Sequence, residues 1–285
     1  MKIFGWFALA LVALLVAVEI AFRLAGVLNF PLFSAGPPYG YIPQPNQRGA
    51  FLHKNDWVFN ELSMGSARRF ETPGAAIDTL LVGDSIVSGG NPYRQADRLG
   101  PQLEKHLGGR VWPISANSWA MANELTYIRV NPEVARHTDR FVFITNSEDF
   151  GAPSIWRSPV THPTKRPLSA IVYVVQKKLV RPQAALKTPY SPREAWQAFR
   201  SAHTQPVIVA AYPNRAEAAD AKLRASQLLT PLRELVGPNT QVIDVGADPR
   251  WAKVRYRDNI HPAPEGTALL ATIISDATKL PHPPR

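Results

Sequence analysis

A serine hydroxyl becomes a useful nucleophile near neutral pH only when a base takes its proton. Two stretches of this 285-residue chain hold the parts for that chemistry. In Asp78-Thr-Leu-Leu-Val-Gly-Asp-Ser-Ile-Val-Ser-Gly-Gly90 an apolar run, Thr79 to Val82, is broken by Gly83 and delivers Asp84 and Ser85. Far downstream, Tyr256-Arg-Asp-Asn-Ile-His-Pro-Ala-Pro-Glu-Gly266 sets Asp258 and His261 three residues apart, just before Pro262 and Pro264. His261 is the candidate base for Ser85, and Asp258 the carboxylate that fixes its tautomer and steadies the imidazolium. Either stretch alone matches an ordinary turn, an Asp-Ser between strand and helix or a His-Pro loop leading into one. Together, in this order, they predict a Ser-His-Asp triad.

The apolar run reads as a strand buried on both faces, and ligands of open α/β sheets bind at the carboxyl ends of such strands. A serine there lies close to free backbone N–H groups that can stabilise an oxyanion. On these two blocks the chain resembles the SGNH or GDSL hydrolase superfamily. There a Gly-Asp-Ser block follows the first strand and an Asp-x-x-His block precedes the last helix. The resemblance spans Asp78 to the C-terminus. It implies Ser85 as nucleophile, His261 as base and Asp258 as orienter, with no cofactor or metal. Position 87 is valine, so the G-x-S-x-G elbow of the α/β-hydrolases is absent.

The same resemblance implies an oxyanion hole. The family's second block usually carries a glycine whose N–H contributes. Ser115-Ala-Asn-Ser-Trp-Ala-Met-Ala-Asn123 has none, so Ser118 or Asn117 stands in. The third block, Gly-x-Asn-Asp in the family, falls on Thr145 to Phe150, where Asn146 is the implied side-chain donor. A second register sets Glu148 and Asp149 over that pair, but an ionised Glu148 would repel an oxyanion, which favours Asn146.

The elements that must position these residues alternate from Asp78 onward, the sign of a parallel sheet. Strands are expected at Thr79–Val82, Arg110–Ile114, Arg140–Thr145, Pro206–Ala211 and Gln241–Val245. Helices are expected near Gln95–Leu107, Met121–His137, Arg193–His203, Ala216–Val236 and Glu265–Leu280. The predicted architecture is a flavodoxin-like three-layer α/β/α sandwich with a five-stranded parallel sheet, plus one N-terminal transmembrane helix.

That helix covers residues 1–28. Ile3 to Val18 is uninterrupted apolar sequence, and Glu19 and Arg23 follow at i,i+4. The segment is long enough to span a bilayer, and longer than a cleaved signal peptide's apolar part, with no small-x-small site behind it. It predicts an uncleaved signal anchor with Lys2 in the cytoplasm and the bulk of the chain exported. Residues 29–75, rich in Pro and Gly, read as a linker or extended strap and not as a packed element, with a possible edge strand at Trp57–Leu62. Residues 76–285 form the catalytic domain.

Between 152 and 205 lies a basic insertion with nine cations against one acid, Glu194, within a chain of net charge +10. Such a run is ordinarily a solvated face. Aromatic residues interleave with the cations, among them Trp156, Tyr173, Tyr190 and Trp196, which would suit a cleft for anionic carbohydrate. Trp156, Arg157, Lys165 and Arg166 are the candidate substrate-binding residues. The apolar run Leu168 to Val180, with its basic end, would equally suit a membrane surface. The chain has no cysteine, which excludes disulfides and thiolate metal sites, and its other histidines lack metal-ligand spacing. No helix-turn-helix, RNP or zinc-finger pattern points to nucleic acid.

The expected function is that of a bacterial esterase or O-acetyltransferase held in the inner membrane with its catalytic domain in the periplasm. Its expected partners are the membrane and an acylated or acidic envelope polysaccharide. The competing readings are a non-catalytic glycan-binding or assembly protein of the same fold, and a lipase or thioesterase for small esters.

Overall fold

The computed structural model describes residues 2–70, 76–179 and 191–279. Residues 71–75 of the expected strap, and Arg181, Lys187 and Tyr190 of the basic insertion, lie outside the described residues. Helix α1 (Lys2–Leu24) opens the chain, its side chains exposed from Phe4 to Ala17. Four short strands follow as two antiparallel hairpins, β1 (Phe33–Ala35) with β2 (Tyr41–Pro43) and β3 (Gln47–Phe51) with β4 (Asn55–Phe59).

This segment corrects the expectation of a linker. Phe33, Tyr41, Ile42, Trp57, Phe59 and Met64 are all buried, and Phe33, Tyr41, Ile42 and Met64 belong to the main core. Each such side chain contributes about 1.5–3 kcal/mol when removed from water, enough to hold a chain that prolines keep out of the central sheet. The strand around Trp57 is real, but it pairs only with β3 and edges no larger sheet.

The central domain runs β5 (Asp78–Gly83), α2 (Ser85–Ser88), α3 (Leu99–Leu107), β6 (Arg110–Ser115), α4 (Met121–Val130), α5 (Pro132–Arg136) and β7 (Arg140–Thr145). It continues through α6 (Ala170–Leu179), α7 (Pro192–Ala202), β8 (Val207–Ala211), α8 (Arg215–Ala219), α9 (Ala221–Arg224), α10 (Thr230–Val236), β9 (Gln241–Asp244) and α11 (Pro264–Lys279). The five expected strands all form, each within a residue or two of its expected limits. Two expected helices are interrupted. Pro132 has no N–H to continue α4, and the Asp220 carboxylate caps α9 through the N–H groups of Lys222 and Leu223.

The sheet is entirely parallel, in the order β6-β5-β7-β8-β9. Alternation along the strands divides two cores. Leu80, Val82, Trp112, Phe141, Phe143 and Val209 face α4, α7 and the strap, whereas Leu81, Val111, Val142, Ile144 and Ile208 face α3 and α11. The chain leaves β5 toward β6 and returns to the other side of β5 as β7. The strand order therefore reverses at β5, and the carboxyl ends of β5, β6 and β7 open a crevice there.

Candidate active site

Ser85 sits at the carboxyl end of β5, at the first position of α2. Asp84 is the N-cap, its Oδ1 accepting the Ile86 N–H at 2.8 Å. Gly83 is required by close packing, because a Cβ there would lie 2.6 Å from Val87 Cγ2 and 3.3 Å from Ile144 Cβ. The turn is thus tight enough to present the serine with no slack.

The Ser85 hydroxyl donates to His261 Nε2 at 2.8 Å, and His261 Nδ1–H donates to Asp258 Oδ2 at 2.8 Å. Three groups separated by up to 176 positions thus form one continuous chain of hydrogen bonds. Asp258 Oδ1 also accepts the N–H groups of Ile260 (2.9 Å) and His261 (2.8 Å). Burial works against the Asp258 carboxylate, but these N–H groups and the imidazole outweigh it and hold its pKa below the usual range. The loop is pinned from outside. Tyr212 Oη donates to Ile260 O at 2.6 Å, Tyr93 Oη donates to Pro262 O, and the Arg257 guanidinium stacks 4.6 Å over the Tyr93 ring.

Ser118, after β6, adopts φ 64°, the left-handed conformation that favours glycine. A serine stands strained where the resembled family places its glycine, and backbone strain of this kind gathers at functional sites. Its N–H and that of Ser85 have no hydrogen-bond partner among the described residues. The loop is braced by Tyr41 Oη, which donates to Asn117 O at 2.6 Å, and by Ser154 Oγ, which donates to Ser118 O. The side chain of Asn117, the alternative donor, accepts from Ser88 Oγ at 2.6 Å.

Asn146 requires a correction. It lies buried beside Ser85's neighbour Asp84, but its amide does not present free N–H groups. Nδ2 donates to Asp84 Oδ2 (3.2 Å) and to Asp149 Oδ2 (3.1 Å), while its oxygen accepts the Glu148 N–H. Two buried carboxyl groups need hydrogen-bond donors, and the Asn146 amide supplies one to each. Glu148, the alternative, is exposed.

Sequence reasoning missed the acids beneath the serine. Asp84, Glu124 and Asp149 are at most 5% exposed, and both Glu124 oxygens lack partners among the described residues. Burial, then mutual repulsion with Asp84, pushes Glu124 and Asp149 well above the carboxylate range. Burial raises Asp84 to about 6 despite the Ile86 N–H. A carboxylic acid with a raised folded-state pKa contributes stability that is full below its unfolded value near 4 and is lost as pH rises through the folded value. Melting temperature is therefore expected to fall between pH 4 and 7, by on the order of 5 °C. Asp84→Asn, which keeps the cap but cannot ionise, flattens that stretch in thermal melts. An unchanged slope in the variant would count against the buried-acid reading.

The expected substrate residues divide. Trp156 donates to His162 O at 2.8 Å and lines an open groove of about 480 Å³ with Pro37, Pro38, Asn123 and Ile155. Lys165 is exposed, and Arg157 is half-buried, near the Tyr41 hydroxyl. Arg166 is corrected to a structural role: it donates to the carbonyls of Leu28 and Phe30 and lies 5.1 Å over the Phe30 ring. Carbonyls left open where α1 meets the strap explain why that guanidinium is taken.

A parallel sheet of this order with a serine, histidine and aspartate joined at its carboxyl edge has a recognisable form. The chain has a three-layer α/β/α fold around a five-stranded parallel sheet. No family model matches it, and no curated protein sequence does. Among solved structures it is similar to a lipolytic G-D-S-L family member from Veillonella parvula, at 15% identity and TM-score 0.43, over 72% of this chain and 100% of that one. It is similar to the C-terminal catalytic domain of peptidoglycan O-acetyltransferase A from Streptococcus pneumoniae, at 15% identity and TM-score 0.40, over 72% and 94%. A third is a carbohydrate esterase family 2 enzyme from Corynascus thermopiles (Myceliophthora fergusii), at 13% identity and TM-score 0.43, over 74% and 67%. These are likenesses of chain path, and the chemistry of this chain is carried by its own side chains.

Proposed function

We propose that the protein is a membrane-anchored serine acyl-ester enzyme, a hydrolase or O-acyltransferase acting on carbohydrate of the cell envelope. The observation that carries this reading is the unbroken relay Ser85 Oγ–His261 Nε2 and His261 Nδ1–Asp258, at 2.8 Å in both links. Ser85 Oγ attacks the ester carbonyl as His261 Nε2 takes its proton, and Asp258 steadies the imidazolium. The oxyanion lies against the N–H groups of Ser85 and Ser118. Collapse returns the proton from His261 to the departing alkoxide and leaves an acyl-Ser85 ester. Water or a sugar hydroxyl then gives its proton to His261 and attacks the acyl carbon. His261 reprotonates Ser85, and a carboxylic acid or a new ester departs.

The open groove beside Trp156 is a seat for the acceptor, next to the Ser118 loop through Ser154. Anchoring is supported by α1, whose segment Phe4–Leu24 is long and apolar enough to cross a membrane and is unburied. Its last turns also serve the domain. Glu19 accepts the N–H groups of Ala170 (2.9 Å) and Ile171 (3.1 Å), and Arg23 donates to Leu168 O. Removing a leader after these residues would uncap α6, which favours a retained anchor in the inner membrane with the domain in the periplasm.

A fluorophosphonate probe tests the nucleophile. The wild type is expected to label within minutes, and Ser85→Ala to show no label on gels or by mass spectrometry. Equal labelling of both would mean that the reacting nucleophile is not Ser85, and no labelling of either would leave a non-catalytic glycan-binding role as the better reading. Loss of envelope glycan acylation on gene deletion, and its return with the wild-type gene, tests the substrate.

A further inference from the structure

Helix α6 has one face in the protein and one that no described residue covers. Inward, Ala170 and Tyr173 pack on Leu28 and Phe30, with the Phe30 and Tyr173 rings stacked at 4.9 Å. Outward, Leu168 just ahead of the helix, then Val172, Val175 and Leu179, recur at spacings of four, three and four. They are 96%, 52%, 51% and 73% exposed. That spacing draws a single apolar stripe. Large aliphatic side chains aligned this way and left in water are a mark of an interaction surface.

What covers the stripe follows from where α6 begins. Its first N–H groups are held by Glu19 of α1, so its start lies level with that residue. Glu19 follows Phe4 by fifteen residues, roughly 22 Å of helix at 1.5 Å per residue. A bilayer's hydrocarbon core is about 30 Å thick. Lipid that covers the exposed apolar surface of α1 from Phe4 onward therefore reaches the start of α6. Polarity agrees. Lys178 is exposed beside the stripe, placed for anionic headgroups.

We propose that α6 is an interfacial helix whose Leu168–Val172–Val175–Leu179 face lies in the leaflet from which α1 emerges. Its partner is a lipid surface and not another protein. The proposal rests on α1 as a retained span, and its test separates the two. The chain has no cysteine, so Leu14→Cys, Val175→Cys and Lys222→Cys each give a unique label in the full chain. All three positions are exposed, and none touches the catalytic relay. Each variant is labelled with a polarity-sensitive fluorophore and placed in nanodiscs of phosphatidylglycerol and phosphatidylcholine. Nitroxide quenchers are carried on shallow or deep acyl carbons. The expected result is quenching of Leu14→Cys by the deep nitroxide and of Val175→Cys by the shallow one, at least roughly twofold. Lys222→Cys on α9 stays at its lipid-free intensity. If Val175→Cys behaves like Lys222→Cys while Leu14→Cys is quenched, the interfacial helix is overturned and the span stands. An unquenched Leu14→Cys overturns the span itself. Shielding of Val175→Cys from aqueous iodide without nitroxide quenching means that a second copy or another protein covers the stripe, and also overturns the proposal.

Discussion

His261→Ala is expected to lower kcat on a small soluble ester by about 10⁵- to 10⁶-fold, and Asp258→Asn by about 10⁴-fold. The gap between them has a structural origin. Without the imidazole nothing near Ser85 Oγ takes its proton at neutral pH, since the nearest other group, Asp84 Oδ2, stands at 3.5 Å and already accepts from Asn146. Without the Asp258 charge the ring remains in place, because Tyr93 and Tyr212 still hold the loop by its carbonyls. Asp258 is also exposed, so water replaces part of its stabilisation. Single-turnover kinetics with a chromogenic ester separate the losses. KM is expected to change little in both variants, because neither group binds the ground state strongly. An Asp258→Asn loss equal to that of His261→Ala would mean that the carboxylate holds the loop and not only the tautomer.

The second large effect is expected in the strap. Tyr41 lies in the strap, is 1% exposed, donates to Asn117 O at 2.6 Å and accepts the Trp119 indole N–H through its own carbonyl at 2.8 Å. Tyr41→Ala leaves a ring-sized cavity and is expected to cost about 3–5 kcal/mol. That corresponds to a fall in melting temperature on the order of 10 °C. Tyr41→Phe keeps the packing and removes only the bond to Asn117. It should lose about 1 kcal/mol of stability. Its kcat should fall more than that loss explains, because the strained Ser118 turn is then less firmly held. A Tyr41→Phe enzyme with unaltered kcat would show that the strap stabilises the domain without shaping the oxyanion loop.

The sheet was legible because its strands are short apolar runs ended by Gly, Asp or Asn, and such runs have few other uses. The relay was legible because nucleophile and base each sit where a strand or a loop meets a helix. The strap was not. Its prolines and glycines advertise loops, and the worth of Phe33 and Tyr41 lies in contacts with residues far along the chain that no local pattern reveals. Glu124 was passed over for a similar reason: within a helical stretch an acid reads as solvated, and only the fold places it beneath Asp84. Arg166 looked like a free cation because the carbonyls it serves belong to another part of the chain. Ser118 was proposed from the resemblance alone, and its left-handed backbone is a property that a sequence without glycine there does not announce.

The packed strap limits the reach that the proposed anchor would allow. A slack tether of about 40 residues would let the catalytic crevice roam on the order of 35 Å from its point of attachment. Here the chain leaves α1, is gripped by Arg166, and folds as two hairpins against the domain, so the described strap is not a slack tether. Under the anchoring proposed above, α1 and Ser85 would act together as a ruler. Esters carried at one height above the bilayer would meet the serine on every lateral encounter, and those a few sugars higher or lower would pass it by. On an envelope polymer this would write acylation as a band at fixed distance from the lipid. Lengthening the chain between Leu28 and Phe33 by a few residues would loosen the ruler and blur that band.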